Sequence, residues 1–329
     1  MTSFPFLSIC IPTRNRAALL RELLESIASQ IEPEVEVVIS DDGSTDATPQ
    51  VAEEFRSRFS HLRYERHDPA LLYDRNILHV VSQARGEFCW LFSDDDRMEP
   101  SALSAVLKEL RADLNLAGLT TGRVAYDFPL TRRLPVRGMT TTATTTFTDA
   151  DHAFVALLDR IGFLSCQVIN RADWNEAVQS THNLERYFTN YVQLYLIVRM
   201  MQRRPRWRFL AQECVAFRAD NDSFRALGST GRLKMDVVSY ELITGDVFGR
   251  KSGVYRAAMS EVSRTHVRHH IIDAKRRGAP TSFTWRALAL CLPRYWKYPA
   301  FWLRTFPVLV APRGLMLALR RLYQRRADD

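Results

Sequence analysis

Short apolar runs alternate with amphipathic stretches along roughly the first 120 residues of the chain. The runs are rich in β-branched residues, whereas the stretches between them repeat apolar positions at the spacing of a helix. We therefore predict strands at residues 6–11, 35–40, 62–66, 88–92 and 116–121, and helices at 17–30, 48–59, 73–84 and 100–111. Strands that alternate with helices form a mostly parallel sheet with right-handed crossovers, so the pattern predicts a Rossmann-like α/β fold.

The alternation ends near residue 125. Residues 126–148 contain prolines and runs of threonine, which favour edge structure or a loop. Helical spacing returns and predicts helices at 149–160, 184–201, 233–248 and 255–277, while residues 203–232 are rich in Arg, Asp and Asn. These changes predict three parts, at 1–125, 126–232 and 233–329, the last of them mainly helical.

The composition is that of a globular protein. The chain has 329 residues, 46% apolar and 25% charged, and its five cysteines are widely spaced with no C-x-x-C pair. Such cysteines are typical of buried, reduced thiols in the cytoplasm. The start of the chain has no basic segment before its apolar residues, and no apolar run reaches about 18 residues. We expect a protein without a spanning segment, either free in the cytoplasm or at the inner face of the cell membrane.

The tail at 283–329 has a composition of its own. It carries nine basic against two acidic residues, and three of the six tryptophans lie in it. Basic residues interleaved with aromatic ones suit an anionic membrane interface, although the aromatic side chains could instead pack on the protein body. We favour contact with the membrane, and we do not expect nucleic acid as a partner because no recognised binding motif accompanies the charge.

Polar segments follow three of the predicted strands, where a parallel sheet binds its ligands. They are PTRNR at 12–16, DDGSTD at 41–46 and SDDD at 93–96. Carboxylates gathered at one edge repel one another unless a cation lies among them. Oxygen ligands of this kind favour Mg²⁺ or Mn²⁺, whose coordination is commonly completed by the phosphates of a substrate.

The turn at Asp41, Asp42 and Gly43 suits a different task, because a carboxylate at a strand end can accept from a ribose hydroxyl or a base N–H. Arg14 and Arg75 could then neutralise a diphosphate. Neither G-x-G-x-x-G nor G-x-x-x-x-G-K-[ST] occurs, so the sequence offers no dinucleotide or P-loop phosphate cradle.

Taken in order, the strings SICIPTRNR, VVISDDGSTDAT and YDRNILHVVSQARGEFCWLFSDDDRMEP resemble the nucleotide-sugar-binding half of the family 2 glycosyltransferases, which have the GT-A fold. The resemblance covers residues 6–120 well. The runs at 92–96 and 220–224 are similar to the abequosyltransferase-like branch, which moves dideoxyhexoses in O-antigen assembly.

This resemblance implies roles for individual residues. The nucleotide-sugar-binding set is Pro12, Thr13, Arg14, Asn15, Asp41, Asp42, Arg75, Asn76 and Asp94. Within it, Asp41 would accept from the base, Arg75 would lie near the diphosphate and Asp94 would face the ribose. Counting back from Pro100 assigns the metal to Asp95, with Asp96 as a second ligand or bound to the metal's water.

The general base is less clearly marked. Members of the family commonly carry a Glu-Asp pair near the position of residue 190, but this chain reads ERYFTNYVQ at 185–193. Glu185, Asp173 and His182 are the nearby candidates, and we take Glu185, together with Asp96, as the expected catalytic residues. A separate group, His266, His269 and His270, is expected on a solvated helix face.

The sequence thus indicates an inverting, metal-dependent glycosyltransferase. The donor would be a nucleotide diphosphate sugar, and one candidate for the transferred sugar is a deoxyhexose. The acceptor would be a surface glycan, and one candidate for its carrier is a polyprenyl lipid. Two alternatives stay open: a nucleotide-sugar-binding protein without transferase activity, because the expected base is missing, and a peripheral membrane scaffold built around the tail.

Overall fold

A computed structural model describes residues 5–135 and 141–316. The chain divides into two compact units, Met1–Asn221 and Asp222–Asp329. The boundaries predicted at 125 and 232 stay predictions.

The first unit is built on a ten-stranded sheet whose main path has the order β3-β2-β1-β4-β9-β6-β10-β5. The strands are β1 (Leu7–Thr13), β2 (Val35–Asp41), β3 (Leu62–Arg66), β4 (Phe88–Leu91), β5 (Arg97–Met98), β6 (Gly118–Tyr126), β7 (Arg133–Leu134), β8 (Thr145–Phe147), β9 (Gln167–Asn170) and β10 (Trp207–Arg218). Strands β1 to β4 are parallel to one another, whereas β9 runs antiparallel to both β4 and β6. The predicted α/β class with a mostly parallel sheet is therefore confirmed.

Helices flank this sheet because each has one apolar face. They are α1 (Ala17–Ala28), α2 (Thr48–Glu54), α3 (Tyr73–Gln83), α4 (Ala102–Ala112), α5 (Ala150–Ala156), α6 (Arg171–Gln179) and α7 (Val192–Arg203). In α1 the fully buried side chains are Leu20, Leu23, Leu24 and Ile27, which share one face at helical spacing. The strand and helix centres predicted up to residue 121 agree with these elements.

The region after residue 160 departs from the predictions. Residues 184–201 were expected to form one helix, but a 3₁₀ turn at Leu184–Tyr187 is separated from α7 by an irregular segment in which Asn190 has φ of 65°. Strand β10 lies in the stretch for which no strand was predicted, and it buries apolar side chains such as Phe209 and Val215 within a segment that also contains charged residues.

The second unit is helical as far as it is described. Its helices are α8 (Gly228–Phe248), α9 (Gly253–Val262), α10 (Arg268–Arg276), α11 (Thr281–Tyr295) and α12 (Phe306–Val310), with π-helical turns at Ser263–Val267 and Phe301–Thr305. Helix α11 contains Pro293 and continues to Tyr295. Buried Lys275 donates to the carbonyls of Val308, Leu309 and Ala311 and so anchors the last turns.

The histidine group in this unit is not simply solvated, which corrects the expectation from sequence. His270 bonds through Nε2 to the buried Asp236 at 2.6 Å, and His266 Nε2 lies 3.2 Å from the hydroxyl of Tyr240. His269 is exposed. A carboxylate and a phenol in the helical core therefore orient two of the three rings.

The five cysteines are buried and free, as expected. Within residues 5–135 and 141–316, none of the helices is both long enough and apolar enough to cross a bilayer.

Candidate active site at the carboxyl edge of the sheet

Strand register brings the first two polar segments side by side. Strands β1 and β2 are parallel, with Thr13 opposite Asp41 at their carboxyl ends. The hydroxyl of Thr13 donates to Asp94 Oδ2 at 2.7 Å, which connects this edge to the aspartate turn after β4. The carboxylates predicted to share one edge of the sheet therefore do so.

Asn15 clamps the loops after β1 and β2 together. Its backbone N–H donates to Ser44 Oγ at 2.8 Å, and its side-chain oxygen accepts from the Thr45 N–H at 2.7 Å. The residue has φ of 51°, a conformation that Asn tolerates better than most side chains. Arg14, by contrast, leaves half of its side chain exposed and reaches Asp42 at 3.4 Å. Arg14 therefore has a half-exposed guanidinium that it can offer to a ligand.

Asp41 lies fully buried at the end of β2. Its carboxylate accepts from the Tyr64 hydroxyl at 2.6 Å and from the Ser44 N–H at 2.8 Å. Burial and the Asp41 carboxylate raise the pKa of Tyr64 well above its usual range, so the phenol remains a donor. Tyr64 was not among the residues expected at the site. It lies on β3, which pairs with β2, and this strand order brings its hydroxyl to Asp41.

Asp42 and Asn76 shape the backbone that presents the site. Asp42 Oδ1 accepts from the N–H groups of Leu71 and Leu72, at 2.5 and 3.1 Å, just before α3. Asn76 accepts from the Ser40 hydroxyl at 2.5 Å and donates to the Ser40 carbonyl at 3.1 Å. Both side chains therefore fix the first turn of α3 against the end of β2.

The aspartate turn is bridged by a single guanidinium. Arg16 Nη1 donates to Asp94 Oδ1 at 2.9 Å and to Asp95 Oδ2 at 2.7 Å. Asp95 also accepts from the Ser93 hydroxyl at 2.5 Å and from the Asn221 amide at 2.8 Å. Arg16 belongs to the segment singled out from the sequence but received no role there.

Asp96 has a different partner, because it accepts from the Ser165 hydroxyl at 2.5 Å. Burial and the nearby charge of Asp95 raise the pKa of Asp96 well above its usual range. Burial likewise raises the pKa of Asp94 to about 6, although Arg16 opposes the shift and Asp95 adds to it. One guanidinium thus leaves the negative charge of three buried carboxylates incompletely compensated.

This excess negative charge fits a divalent cation. The donors are all hard oxygens, which Mg²⁺ and Mn²⁺ prefer. Among the described residues, however, the aspartates do not bring three ligand oxygens within 4.8 Å of one another. The turn therefore suits an ion held by one or two carboxylates, with substrate oxygens completing the coordination.

Arg218 supports the turn from behind. Its side chain is 2% exposed and donates to the Asp95 carbonyl at 2.8 Å and to Glu22 at 2.6 Å. Arg218 and Glu22 lie 196 positions apart in the sequence. Nothing local in the sequence marks Arg218, because its role depends on β10 lying in the sheet.

Arg75 and Glu185, assigned separate roles from the sequence, form an ion pair. Arg75 Nη2 donates to Glu185 Oε1 at 2.5 Å, and the guanidinium lies 5.4 Å from the centroid of the Phe188 ring. The side chains are 53% and 69% exposed, so the pair remains accessible to a ligand.

The other candidates for the base have other surroundings. Asp173 lies in the first turn of α6 and forms an ion pair with Arg204, while His182 is exposed. Among the described residues, Glu185 is the candidate that bonds to Arg75, whereas Asp173 bonds to Arg204.

Asp74, next to Arg75, was not anticipated. Its carboxylate is 7% exposed and accepts from the backbone N–H groups of Asn190 and Val192 at 2.8 and 3.0 Å. A side chain of α3 therefore satisfies the first N–H groups at the start of α7. The bond fixes the segment where the resembled family commonly carries its Glu-Asp pair.

Comparison with known proteins agrees with this geometry. Residues 8–165 match the family described as Glycosyl transferase family 2. The abequosyltransferase RfbV of Salmonella typhimurium is 26% identical over 268 residues, which cover 76% of this chain and 78% of that protein. A β-1,3-glucosyltransferase of Campylobacter jejuni named for GalNAc(5)-diNAcBac-PP-undecaprenol is 31% identical over 108 residues, which cover 32% of this chain and 34% of that protein.

Solved structures share the fold at low identity. TarS 1-349 of S. aureus, in complex with UDP-GlcNAc, has a TM-score of 0.63 at 15% identity and covers 86% of this chain and 79% of its own. The mannosyltransferase PcManGT of Pyrobaculum calidifontis, in complex with GDP-Man and Mn²⁺, has a TM-score of 0.52 at 14% identity, with coverage of 90% and 88%. The chain is a glycosyltransferase with a family 2 domain in a GT-A fold, and the resemblance drawn from its motifs is confirmed.

Proposed function

We propose that this glycosyltransferase moves a deoxyhexose from a nucleotide diphosphate sugar to a surface glycan carried on a polyprenyl lipid, with inversion and with Mg²⁺ or Mn²⁺. The donor class is supported by the similarity to an abequosyltransferase over 76% of the chain. The lipid-linked acceptor is supported by a shorter match, over 108 residues, to an enzyme named for an undecaprenol-linked substrate.

One observation carries the proposal: buried carboxylates from separate loops meet at one edge of the sheet. Thr13 connects Asp41 to Asp94, since it lies opposite the first and donates to the second. In the proposed arrangement Asp41 accepts from the base, and the loop containing Pro12 and Arg14 lines the nucleotide.

Asp95 and Asp96 are the proposed metal ligands, and a bound ion would neutralise charge on the departing diphosphate. Arg75 is proposed to add a guanidinium to the same phosphates. It can do so because its side chain is half exposed and its partner Glu185 is also at the surface.

Glu185 is the proposed general base. Its carboxylate is exposed and bonded to Arg75, so an oxygen acceptor is available at the surface for the proton of the acceptor hydroxyl. If Arg75 turns to the diphosphate when the donor binds, Glu185 is released toward the acceptor. The chain would then use a carboxylate upstream of residue 190 in place of the missing pair.

A second candidate function is nucleotide-sugar binding without transfer. It is favoured by the segment from Phe188 to Tyr191, which carries no carboxylate where a base is expected. Turnover with a panel of sugar nucleotides separates the two functions, because a binding protein would retain affinity and show neither transfer nor hydrolysis.

The metal role is tested with Asp95→Asn. Calorimetric titration with uridine, cytidine, thymidine and guanosine diphosphates, with and without Mn²⁺, should show one base preferred and tighter binding with the ion. In the variant the benefit of Mn²⁺ should disappear, whereas Asp151→Asn, an exposed aspartate on α5, should behave as wild type. Unchanged Mn²⁺ dependence in Asp95→Asn would remove the proposed ligand.

The base is tested by single-turnover kinetics. Glu185→Gln should slow transfer by at least about a hundredfold while leaving nucleotide affinity unchanged, since general base catalysis contributes factors of this size. His182→Gln is the matched control at a neighbouring exposed residue. Equal loss of affinity and rate in Glu185→Gln would instead mean that the ion pair with Arg75 only positions that arginine.

We also propose that residues 281–316 contact an anionic membrane. Large apolar side chains are exposed along this segment: Trp285, Leu292, Trp296, Trp302, Leu303, Val310 and Leu315. Exposed basic residues lie among them: Arg286, Lys297, Arg304 and Arg313. Tryptophan and arginine in this combination are typical of the headgroup region. Arg294 is described and pairs with Glu241, whereas Arg320, Arg321, Arg325 and Arg326 lie outside the described residues.

Vesicle sedimentation tests this contact. The protein should bind vesicles containing phosphatidylglycerol better than pure phosphatidylcholine, and Trp285→Ala with Trp296→Ala should weaken binding. Leu114→Ala, an equally exposed apolar residue of the first unit, is the control. Binding that is unaffected by the tryptophan changes would exclude this surface.

A further inference from the structure

Three side chains with metal-binding groups meet at the outer edge of the sheet, apart from the aspartate turn. One ligand atom each of Glu65, His67 and His79 lies within 4.8 Å of the other two. Among the described residues, this is the one set of three His, Cys, Asp or Glu side chains that comes so close. In a tetrahedral zinc site, ligand atoms about 2 Å from the ion lie roughly 3.3 Å from one another, so small side-chain movements suffice.

The fold explains why these side chains converge. Strand β3 is at the edge of the sheet, and Glu65 and His67 are two residues apart at its end, which places them on the same side. His79 comes from α3, the helix that packs on the neighbouring strands β1 and β2. The two imidazole rings lie with centroids 4.4 Å apart and planes at 83°.

A contact between two of the three side chains and an adjacent cavity favour binding of a cation. His79 Nε2 lies 3.0 Å from Glu65 Oε2, a pair that a cation can join in place of a proton. A cavity of about 250 Å³, lined by Ser40, Tyr64, Glu65 and His79 among others, opens beside the cluster and gives access to water and ions.

Hydrogen bonds around Ser40 fix the tautomer of His67. The Ser40 hydroxyl donates its proton to Asn76 Oδ1, because the amide nitrogen of Asn76 donates to the Ser40 carbonyl. His67 Nε2, at 2.9 Å from the same hydroxyl, must therefore carry the proton and donate. Nδ1 of His67 then has a free lone pair, and an outer hydrogen bond that orients a metal-binding histidine is typical of metal sites.

We propose that Glu65, His67 and His79 bind a late first-row divalent cation, with Zn²⁺ as the reference ion, independently of the Mg²⁺ or Mn²⁺ expected at the aspartate turn. Two imidazoles and one carboxylate form a ligand set that favours Zn²⁺ over Mg²⁺, and water completes the fourth position. The aspartate turn offers only hard oxygens, so the two places differ in the ions they select.

The proposed cation site also contacts the end of β2, where Asp41 lies. The backbone N–H of His67 donates to the Asp41 carbonyl at 2.8 Å, and its ring bonds to Ser40, the residue before Asp41. An ion at the cluster therefore restrains the end of β2 from its outer side. We expect bound Zn²⁺ to slow amide exchange at Asp41 and Ser44.

The test uses full-length protein freed of metal with a chelator and then titrated calorimetrically with Zn²⁺ in the absence of nucleotide. Wild type should bind Zn²⁺, and the affinity should fall at least about tenfold in His79→Gln and in Glu65→Gln. Changes to residues that only orient a metal ligand already lower metal affinity by about this factor. His182→Gln serves as the control for an exposed histidine elsewhere, and Asp95→Asn for the aspartate turn. Both controls should bind Zn²⁺ as wild type does.

The outcomes are distinct from those that test the proposed function. Equal Zn²⁺ affinity in wild type and both ligand variants, or no binding at all, would overturn this inference and leave the Mn²⁺ result untouched. Loss of Zn²⁺ binding in Asp95→Asn alone would place the ion at the aspartate turn instead. Cobalt substitution adds a spectroscopic check, because a tetrahedral site with two imidazoles should give visible absorption that His79→Gln abolishes.

Discussion

Removing the Asp74 carboxylate should release the start of α7. In Asp74→Ala, the N–H groups of Asn190 and Val192 lose the acceptor that they reach at 2.8 and 3.0 Å. The side chain is buried, and Asn190 has φ of 65°, so the segment depends on this contact to keep its conformation.

The magnitude follows from these contacts. A hydrogen bond to a charged group contributes about 1.5–3 kcal/mol, which for two bonds gives roughly 3–6 kcal/mol. Burial acts against this gain, because it raises the pKa of Asp74 even though backbone N–H groups lower it. We therefore expect a net loss below this sum, about 2–3 kcal/mol, which corresponds to roughly 30- to 150-fold faster opening of the segment. Asp74→Asn keeps one acceptor oxygen and should lose about half of this free energy.

Hydrogen–deuterium exchange of the peptide that contains residues 189–193 measures the effect directly. Exchange should accelerate most in Asp74→Ala and less in Asp74→Asn, while peptides from α1 stay unchanged. Asp151→Ala, an exposed carboxylate in the first turn of α5, is the matched control. Exchange at 189–193 that is the same in Asp74→Ala as in wild type would refute the argument.

Two further predictions concern the core. Burial opposes ionisation of Asp236, but its pairing with His270 lowers the pKa of this carboxyl well below the usual range. The contribution of Asp236 to stability is therefore present at neutral pH and is lost as the pH falls below about 4. Thermal unfolding of Asp236→Asn should be less sensitive to acid than that of wild type, and parallel dependence of the two melting temperatures on pH would contradict the assignment. Gly118→Ala should destabilise by about 1–3 kcal/mol, because its new Cβ would lie 2.3 Å from the Trp207 ring, whereas Gly314→Ala, with no atom within 4 Å, should leave the melting temperature nearly unchanged.

Local patterns account for what could be predicted. Apolar positions at period two and at helical spacing depend on neighbours in sequence, so the strands and helices before residue 121 were recognisable. Parallel strands place their carboxyl ends together, which made the shared edge of Asp41 and Asp94 predictable without coordinates. The aspartate turn after β4 was found for the same reason.

Other features needed the folded chain. Strand β10 was missed because its polar residues masked the alternation, and the predicted helix at 184–201 failed because Asp74 holds an irregular segment inside it. The ion pair of Arg75 with Glu185 joins residues 110 positions apart, a pairing that no local pattern specifies.

Sequence alone determined the fold class and the kind of chemistry, because both follow from residue types placed at strand ends. The tertiary structure decided which side chain does what. Arg16 compensates two aspartates, and Asp42 and Asn76 hold the backbone of α3, because distant segments bring donors to them at hydrogen-bonding distance. Such contacts depend on the packing of whole elements, so their physical origin lies in the sheet order and not in any one motif.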